Sequence, residues 1–226
     1  MPAPGLKFPL DAVLFDLDGT LVDSAPDLAG AANEMLAARG RPLLAFDRLR
    51  VHAGSGARGM LGAAFGLAPG APGYETMRAE FLARYEQRML DATHVFDAVP
   101  QLLDALDARG ARWGIVTNKA LRFAEPIACE LGLLGRAGVL IGGDSTAHIK
   151  PHPAPLLEAA RRLGLAPRRC AYVGDDVRDM RAGAAAGMVT VAAAWGYLGE
   201  GADPHTWGAH HVIDAPLELL QMLEPA

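Results

Sequence analysis

The chain predicts an α/β fold, a doubly wound parallel sheet with an inserted helical cap, and three observations point to it. A short apolar run from Ala12 to Phe15 ends on Asp16. From about Ala98 onward, helix-period and strand-like segments alternate. Residues 23–93 interrupt that rhythm, with helical periodicity and no strand-like run. The core is therefore expected at 1–22 and 94–226 and the cap at 23–93.

The elements follow in order. Ala12 to Phe15 reads as a fully buried strand, because four apolar residues are bounded by polar ones. Leu28, Ala32, Met35 and Leu36 share one helical face of the insert; Met77, Phe81, Leu82, Tyr85 and Met89 share another. Back in the core, Val99, Leu102, Leu103 and Leu106 form an apolar stripe that Gly110 closes as a C-cap. Trp113 to Val116 is the next strand and ends on Thr117-Asn118-Lys119. A helix with Phe123, Ile127 and Leu131 on one stripe stops at Gly132, before the apolar run Val139-Leu140-Ile141. Pro153 and Pro155 suit the first turn of a helix carrying Leu156, Leu157, Ala160 and Leu163, with Gly164 after it. Cys170 to Val173 is a further strand, and a last helix leads through Gly187 to Val189-Thr190-Val191. An insert after the first strand overhangs the sheet's C-terminal edge, where it can cover the acidic residues there.

Composition narrows the function. With 226 residues, the chain is long enough for one large domain or a domain with a sizeable insert. A formal net charge of -5 with no Lys/Arg run argues against nucleic acid as partner, since a phosphate backbone demands a basic face. The start, Met1 to Pro9, lacks the apolar run of a signal peptide, and no stretch is long enough to span a bilayer, so the expected compartment is the cytoplasm. Cys129, on a predicted helix, and Cys170, opening an apolar strand, are expected to be buried structural thiols.

The chemistry is concentrated at strand ends. Asp16 and Asp18 stand two residues apart after the first strand, and carboxylates that close imply either a divalent cation or a shared proton. Thr117-Asn118 offers a hydroxyl and an amide, Lys150-Pro151 a cation, and Gly174-Asp175-Asp176-Val177-Arg178-Asp179 more carboxylates. Each alone is an ordinary cap, turn or surface lysine. Together a doubly wound sheet brings them to one crevice, and they match what phosphoryl transfer needs. A carboxylate nucleophile is repelled by a phosphomonoester dianion, so Mg²⁺ held by Asp16, Asp175 and a backbone carbonyl would neutralise both. Thr117 and Lys150 would hold phosphate oxygens, and Asp18 would trade a proton with the leaving alkoxide and the hydrolytic water.

Asp16-Leu17-Asp18-Gly19-Thr20, Thr117-Asn118, Lys150-Pro151 and the 174–179 segment resemble the four motifs of the haloacid dehalogenase superfamily, across nearly the whole chain. The resemblance implies a Rossmann-like core, with Asp16 as nucleophile and Asp18 as acid/base. It further implies the Asp18 carbonyl and Asp175 as additional Mg²⁺ ligands, Asp179 as a supporting carboxylate, and substrate contacts from Gly19 and Asn118; Asp176 has no fixed role. An acid at position 18 points to a phosphoryl substrate rather than a halide. The insert and Lys150-Pro151-His152-Pro153 resemble the phosphoglycolate phosphatase branch. Ser55 to Arg58, Thr117 to Ile127 and Trp207-Gly208-Ala209 resemble bacterial N-acetylmuramic acid 6-phosphate phosphatases. Both substrates are small metabolites carrying a carboxylate as well as a phosphate, so a contact from Arg58 suits either. A sugar phosphomutase of similar fold and a phospho-accepting signalling receiver are the competing readings; Asp18 and the long insert argue against the receiver. The assembly is read as a monomer or homodimer.

Two patterns mislead. Gly54 to Gly59 satisfies G-x-G-x-x-G, but Leu49 to Ala53 before it belongs to the helical insert, so a nicotinamide site is not expected. The segment reads instead as a cap turn bringing Arg58 to substrate, or as a plain helix-helix turn. His205, His210 and His211 read as surface or loop residues; Trp195, Tyr197 and Trp207 either border the active-site mouth or pack the sheet edge, with packing the favoured reading.

Overall fold

A computed structural model describes residues 10–199 and 203–223. The expectation for Met1 to Pro9 lies outside the described residues. Strand β1 (Ala12–Phe15) is followed by the two-residue β2 (Val22–Asp23) and four helices: α1 (Ala25–Ala37), α2 (Phe46–Arg50), α3 (Gly56–Phe65) and α4 (Tyr74–Arg88). Strand β3 (His94–Val95) returns antiparallel to β2, with Val22 opposite Val95, so a short ribbon carries the chain out to the helices and back. There follow α5 (Val99–Ala108), β4 (Arg112–Val116), α6 (Leu121–Glu130), β5 (Leu140–Ile141), α7 (Ala154–Leu163), β6 (Cys170–Gly174), α8 (Val177–Ala185), β7 (Val189–Ala193) and β8 (His211–Ile213).

The six core strands are parallel, in the order β5-β4-β1-β6-β7-β8. Strand alternation sorts their side chains to two faces. Val13, Phe15, Trp113, Ile115 and Val173 pack with α5, α6 and the C-terminal Leu219, while Ala12, Leu14, Val116 and Tyr172 pack with α7 and α8. Burial on both faces explains why these strands read as unbroken apolar runs. The chain moves outward from β1 in both directions, which opens a crevice at the C-terminal ends of β1, β4 and β6.

Helices α1 to α4 bury a separate apolar cluster, including Met35, Leu49, Met60, Phe81 and Tyr85, joined by Phe123 and Tyr197 from beyond the insert. Asp27 of α1 ties down the return strand: its Oδ2 accepts the Ala92 and Thr93 N–H groups at 3.0 and 2.8 Å and the Thr93 hydroxyl at 2.8 Å. Among the described residues no helix is long and apolar enough to cross a membrane.

Gly110, Gly132 and Gly164 end their helices with positive φ, as the pattern requires. Three expectations fail. Cys129 is exposed, because it sits about 200° around α6 from Ile127 at 100° per residue; Cys170 is buried. Leu157 faces solvent at 42% exposure, since α7 buries Leu156 and Ala160 instead. His211 opens edge strand β8 beside β7, a strand too short and too polar at its start to read from the sequence. His210 is an exposed loop residue, as expected, and is tied to β7: its N–H donates to Thr190 O at 3.0 Å and its ring Nδ1 lies 2.8 Å from Thr190 Oγ1.

Candidate active site

Asp16 follows β1, Thr117 follows β4 and Asp175 follows β6, so the topology delivers all three to one sheet edge. Asp16 Oδ1 accepts the Leu17 N–H at 2.7 Å and pairs with Lys150 Nζ at 2.9 Å. Both contacts fall on one oxygen, and Oδ2 has no hydrogen-bond partner among the described residues. Lys150, 2% exposed, also reaches Asp179 Oδ1 at 2.8 Å, the Tyr172 hydroxyl at 2.7 Å and Val116 O at 3.2 Å. Its ammonium therefore bridges Asp16 and Asp179 from below the crevice.

Asp175 is held by the Tyr197 N–H at 2.8 Å and the Thr20 hydroxyl at 3.3 Å. Oxygens of Asp16, Asp175 and Asp179 lie within 4.8 Å of one another. Burial pushes the Asp16 carboxyl up to about 6 against the pull of Lys150, and burial with repulsion from Asp16 and Asp179 pushes Asp175 well above the usual range. Three carboxylates with one ammonium are short of positive charge, and an all-oxygen donor set suits a hard divalent cation. The residues present thus fit a metal ion.

Asp18 stands apart from that cluster. Its two oxygens take Lys119 Nζ at 2.9 and 3.1 Å, and Oδ1 also accepts the Ser24 hydroxyl. Lys119 lies 4.8 Å from the Tyr85 ring centre, on cap helix α4. Burial works against its charge, but the Asp18 carboxylate outweighs that and holds its pKa above the ordinary lysine value. The Tyr197 hydroxyl accepts the Ser24 and Ala25 N–H groups at 2.8 and 3.1 Å and donates to Asp23 at 3.1 Å, so Tyr197 does more than pack.

Asn118 and Gly19 serve the site through its backbone. The Asn118 amide clamps Lys150, donating to its O at 3.0 Å and accepting its N–H at 2.9 Å. Gly19 donates its N–H to Val22 O at 2.9 Å, so that group is already engaged; what the position requires is the absence of a side chain, since a Cβ there would lie 2.2 Å from Asp175 Oδ2. Thr117, 3% exposed, accepts the Lys119 N–H at 3.1 Å. Arg58 is exposed, and its guanidinium lies 3.5 Å from the Ser55 hydroxyl. The 54–59 segment is a tight turn entering α3, not a strand-loop-helix unit.

A cavity of about 560 Å³ is lined by Asp16, Asp18 and Lys150 together with Arg58, Arg78 and Arg122 from the helical insert and α6. Lys119, Ser24 and Tyr172 are functional candidates that sequence reasoning missed. Tyr172 sits in an apolar strand, where tyrosine reads as core. Burial keeps its phenol protonated, and it donates to Val116 O at 2.8 Å.

The profile of the haloacid dehalogenase-like hydrolases matches residues 10–187. The N-acetylmuramic acid 6-phosphate phosphatase of Pseudomonas aeruginosa is 44% identical over 96% of each chain. A phosphoglycolate phosphatase of Xanthomonas campestris is 47% identical over 98% of each. Among solved structures, a predicted phosphoglycolate phosphatase from Haemophilus somnus superposes with a TM-score of 0.84 at 27% identity, covering 95% of this chain and 98% of that one. The sheet order, the carboxylate cluster and these matches agree: the chain belongs to the haloacid dehalogenase-like hydrolases, among their phosphomonoester hydrolases.

Proposed function

We propose that this phosphatase is Mg²⁺-dependent, works through an aspartyl-phosphate on Asp16, and takes a small phosphorylated metabolite bearing a carboxylate, with N-acetylmuramic acid 6-phosphate favoured and 2-phosphoglycolate the alternative. Asp16, Asp175 and the Asp18 carbonyl would hold the ion. Bound there, it would neutralise the carboxylates and the phosphoryl oxygens.

Asp16 is the nucleophile in this reading because Leu17 and Lys150 pin one oxygen and leave the other without a hydrogen bond. Lys150 orients Asp16 against Asp179, with Asn118 holding the lysine's backbone. Thr117 lines the cavity at the end of β4, within reach of a phosphoryl oxygen. Asp18, held in place by Lys119 and the Ser24 hydroxyl, would take the proton of the water that opens the aspartyl-phosphate. The same group would give its proton to the leaving alkoxide in the first step and recover one from the water in the second.

One observation carries the substrate preference: the cavity's size together with the arginines that line it. About 560 Å³ falls in the range of pockets that enclose a drug-sized ligand. An amino-sugar phosphate with a lactyl ether spans such a space and can bring its carboxylate to Arg58, Arg78 or Arg122, whereas 2-phosphoglycolate leaves most of it to water.

The test is phosphate release with Mg²⁺, comparing N-acetylmuramic acid 6-phosphate, 2-phosphoglycolate and common sugar phosphates, with Asp16→Asn as control. The expected result is the highest kcat/KM on the first and none with the variant. Preference for 2-phosphoglycolate selects the alternative, and release that survives Asp16→Asn refutes the mechanism.

A further inference from the structure

Asp176 and Arg178 lie inside the motif after β6, yet neither belongs to the carboxylate cluster. Asp176 caps α8: its Oδ1 accepts the Arg178 N–H at 2.8 Å, and Asp179 Oδ2 accepts the Asp176 N–H at 3.1 Å. The same carboxylate takes the Arg178 guanidinium as a fork, Nε to Oδ1 at 2.8 Å and Nη2 to Oδ2 at 2.7 Å. Nη2 then donates to Gly54 O at 2.7 Å, across 124 residues of chain. Gly54 belongs to the turn that enters α3, and Arg58 stands in the first turn of that helix. A Cβ at Gly54 would meet Arg178 Nη2 and Asp176 Oδ2 at 4.0 Å and the Tyr197 ring at 3.8 Å, so the turn lies against the pair.

We propose that Arg178 is a specificity-determining positioning residue, a strap from the core that sets residues 53–58, and with them Arg58, over the phosphoryl site. Asp176 fixes the rotamer of the strap. Because the fork closes between residues two apart, the guanidinium is oriented whether or not the cap touches it, and the cap contact costs little further ordering. A planar guanidinium can give two donors to Asp176 and still reach a carbonyl; a lysine ammonium has no such fixed geometry. A second arginine, Arg50, reaches Gly196 O at 3.3 Å and Asp23 Oδ2 at 3.8 Å near the ribbon. Losing Arg178 should therefore loosen the turn without detaching the cap. The kinetic part of this proposal rests on the phosphatase reading; the positional part does not.

The variants are Arg178→Met, which keeps an apolar stem, Arg178→Lys and Asp176→Asn, which keeps a helix-capping side chain. Amide hydrogen exchange is measured across the protein. Values of kcat/KM are compared for N-acetylmuramic acid 6-phosphate and p-nitrophenyl phosphate, whose leaving group has no carboxylate for the cap. In Arg178→Met, exchange at residues 54–58 should rise several-fold with β1 and α8 unchanged. The kcat/KM for the carboxylated ester should fall about tenfold, mainly through KM, the size expected for one charged hydrogen bond. The aryl ester should stay within about twofold by the same reasoning, since it does not use that contact. Arg178→Lys should recover only part of the protection, and Asp176→Asn should fall between. Unchanged exchange at 54–58, exchange rising equally in α8, or equal losses on both esters would overturn the proposal. If neither ester releases phosphate even in the unaltered protein, the functional reading fails while the exchange result still decides the strap.

Discussion

Gly196 offers a sharp test of how the candidate metal site is held, because it lies outside every motif the sequence displays. It follows β7, and its neighbour Tyr197 donates a backbone N–H to Asp175 Oδ2. A Cβ at 196 would sit 2.2 Å from Asp175 Cβ, 2.5 Å from Asp175 Oδ2 and 2.5 Å from Gly19 O. Carbon atoms pack at about 3.5–4.0 Å, so Gly196→Ala forces a displacement of roughly 1 Å or more. A side-chain root and a main-chain oxygen cannot rotate away, which places the cost near the upper end of overpacking, about 3 kcal/mol. For a chain of this size that lowers Tm by about 6–12 °C. A reacting group misplaced by about 1 Å costs on the order of 10²-fold in rate. Thermal unfolding and Mg²⁺-dependent phosphate release should therefore fall together, with more Mg²⁺ needed for half activation. Gly62→Ala is the control: this exposed glycine of α3 has open space where the methyl would go, and the change should stabilise by about 1 kcal/mol without touching activity. A Gly196→Ala protein with ordinary Tm and ordinary Mg²⁺ dependence would refute the idea that this turn sets Asp175.

Three further outcomes are expected. Asn118→Ala removes both hydrogen bonds to the Lys150 backbone, which should cost about 2 kcal/mol in urea unfolding and, through the lysine, about 10²-fold in kcat. Lys119→Met leaves Asp18 with the Ser24 hydroxyl alone; kcat should fall at least about tenfold with KM nearly unchanged, and an unaltered kcat would show that Lys119 does not position the carboxylate. In native protein at pH 8, iodoacetamide should label exposed Cys129 and spare Cys170, whose thiol burial pushes up to about 11; mass mapping of the adducts checks this. A thiol raised on folding stays protonated while the unfolded chain ionises, so Cys170 should also take stability away as pH climbs from about 9 toward 11, a loss that Cys170→Ala would abolish.

What could be read in advance follows from locality. Strands β1, β4 and β6 were legible because each is a short run buried on both faces and stopped by a polar residue, and Asp16, Thr117 and Asp175 are those stops. The ribbon of β2 and β3 has two residues per strand, too few to show a period. Lys119 and Arg178 were in view as letters of motifs, but their partners are Asp18 and Gly54, more than a hundred residues away. Nothing in the local pattern of either lysine or arginine distinguishes it from a solvated surface cation. Asp176 could have been recognised as the helix cap from its place three residues before Asp179, since that spacing is a capping box with a carboxylate at each position.

The charges explain why two lysines enter the site rather than one. Asp16, Asp18, Asp175 and Asp179 contribute four carboxylates, and Lys119 and Lys150 two ammoniums, which leaves two negative charges in a crevice meant for a phosphate dianion. One divalent cation cancels them. The lysines are also divided between tasks: Lys150 bonds Asp16 and Asp179 and never Asp18, while Lys119 bonds Asp18 and neither of the others. A single shared lysine would couple Asp18, the proposed proton acceptor, to Asp16, the proposed nucleophile, so that moving one would disturb the other. Separate partners let Asp18 exchange its contacts on the side where Lys119 meets Tyr85 of α4, while Asp16 keeps its contacts with Leu17 and Lys150. In this arrangement the position of α4 can act on the proposed acid/base without moving the proposed nucleophile.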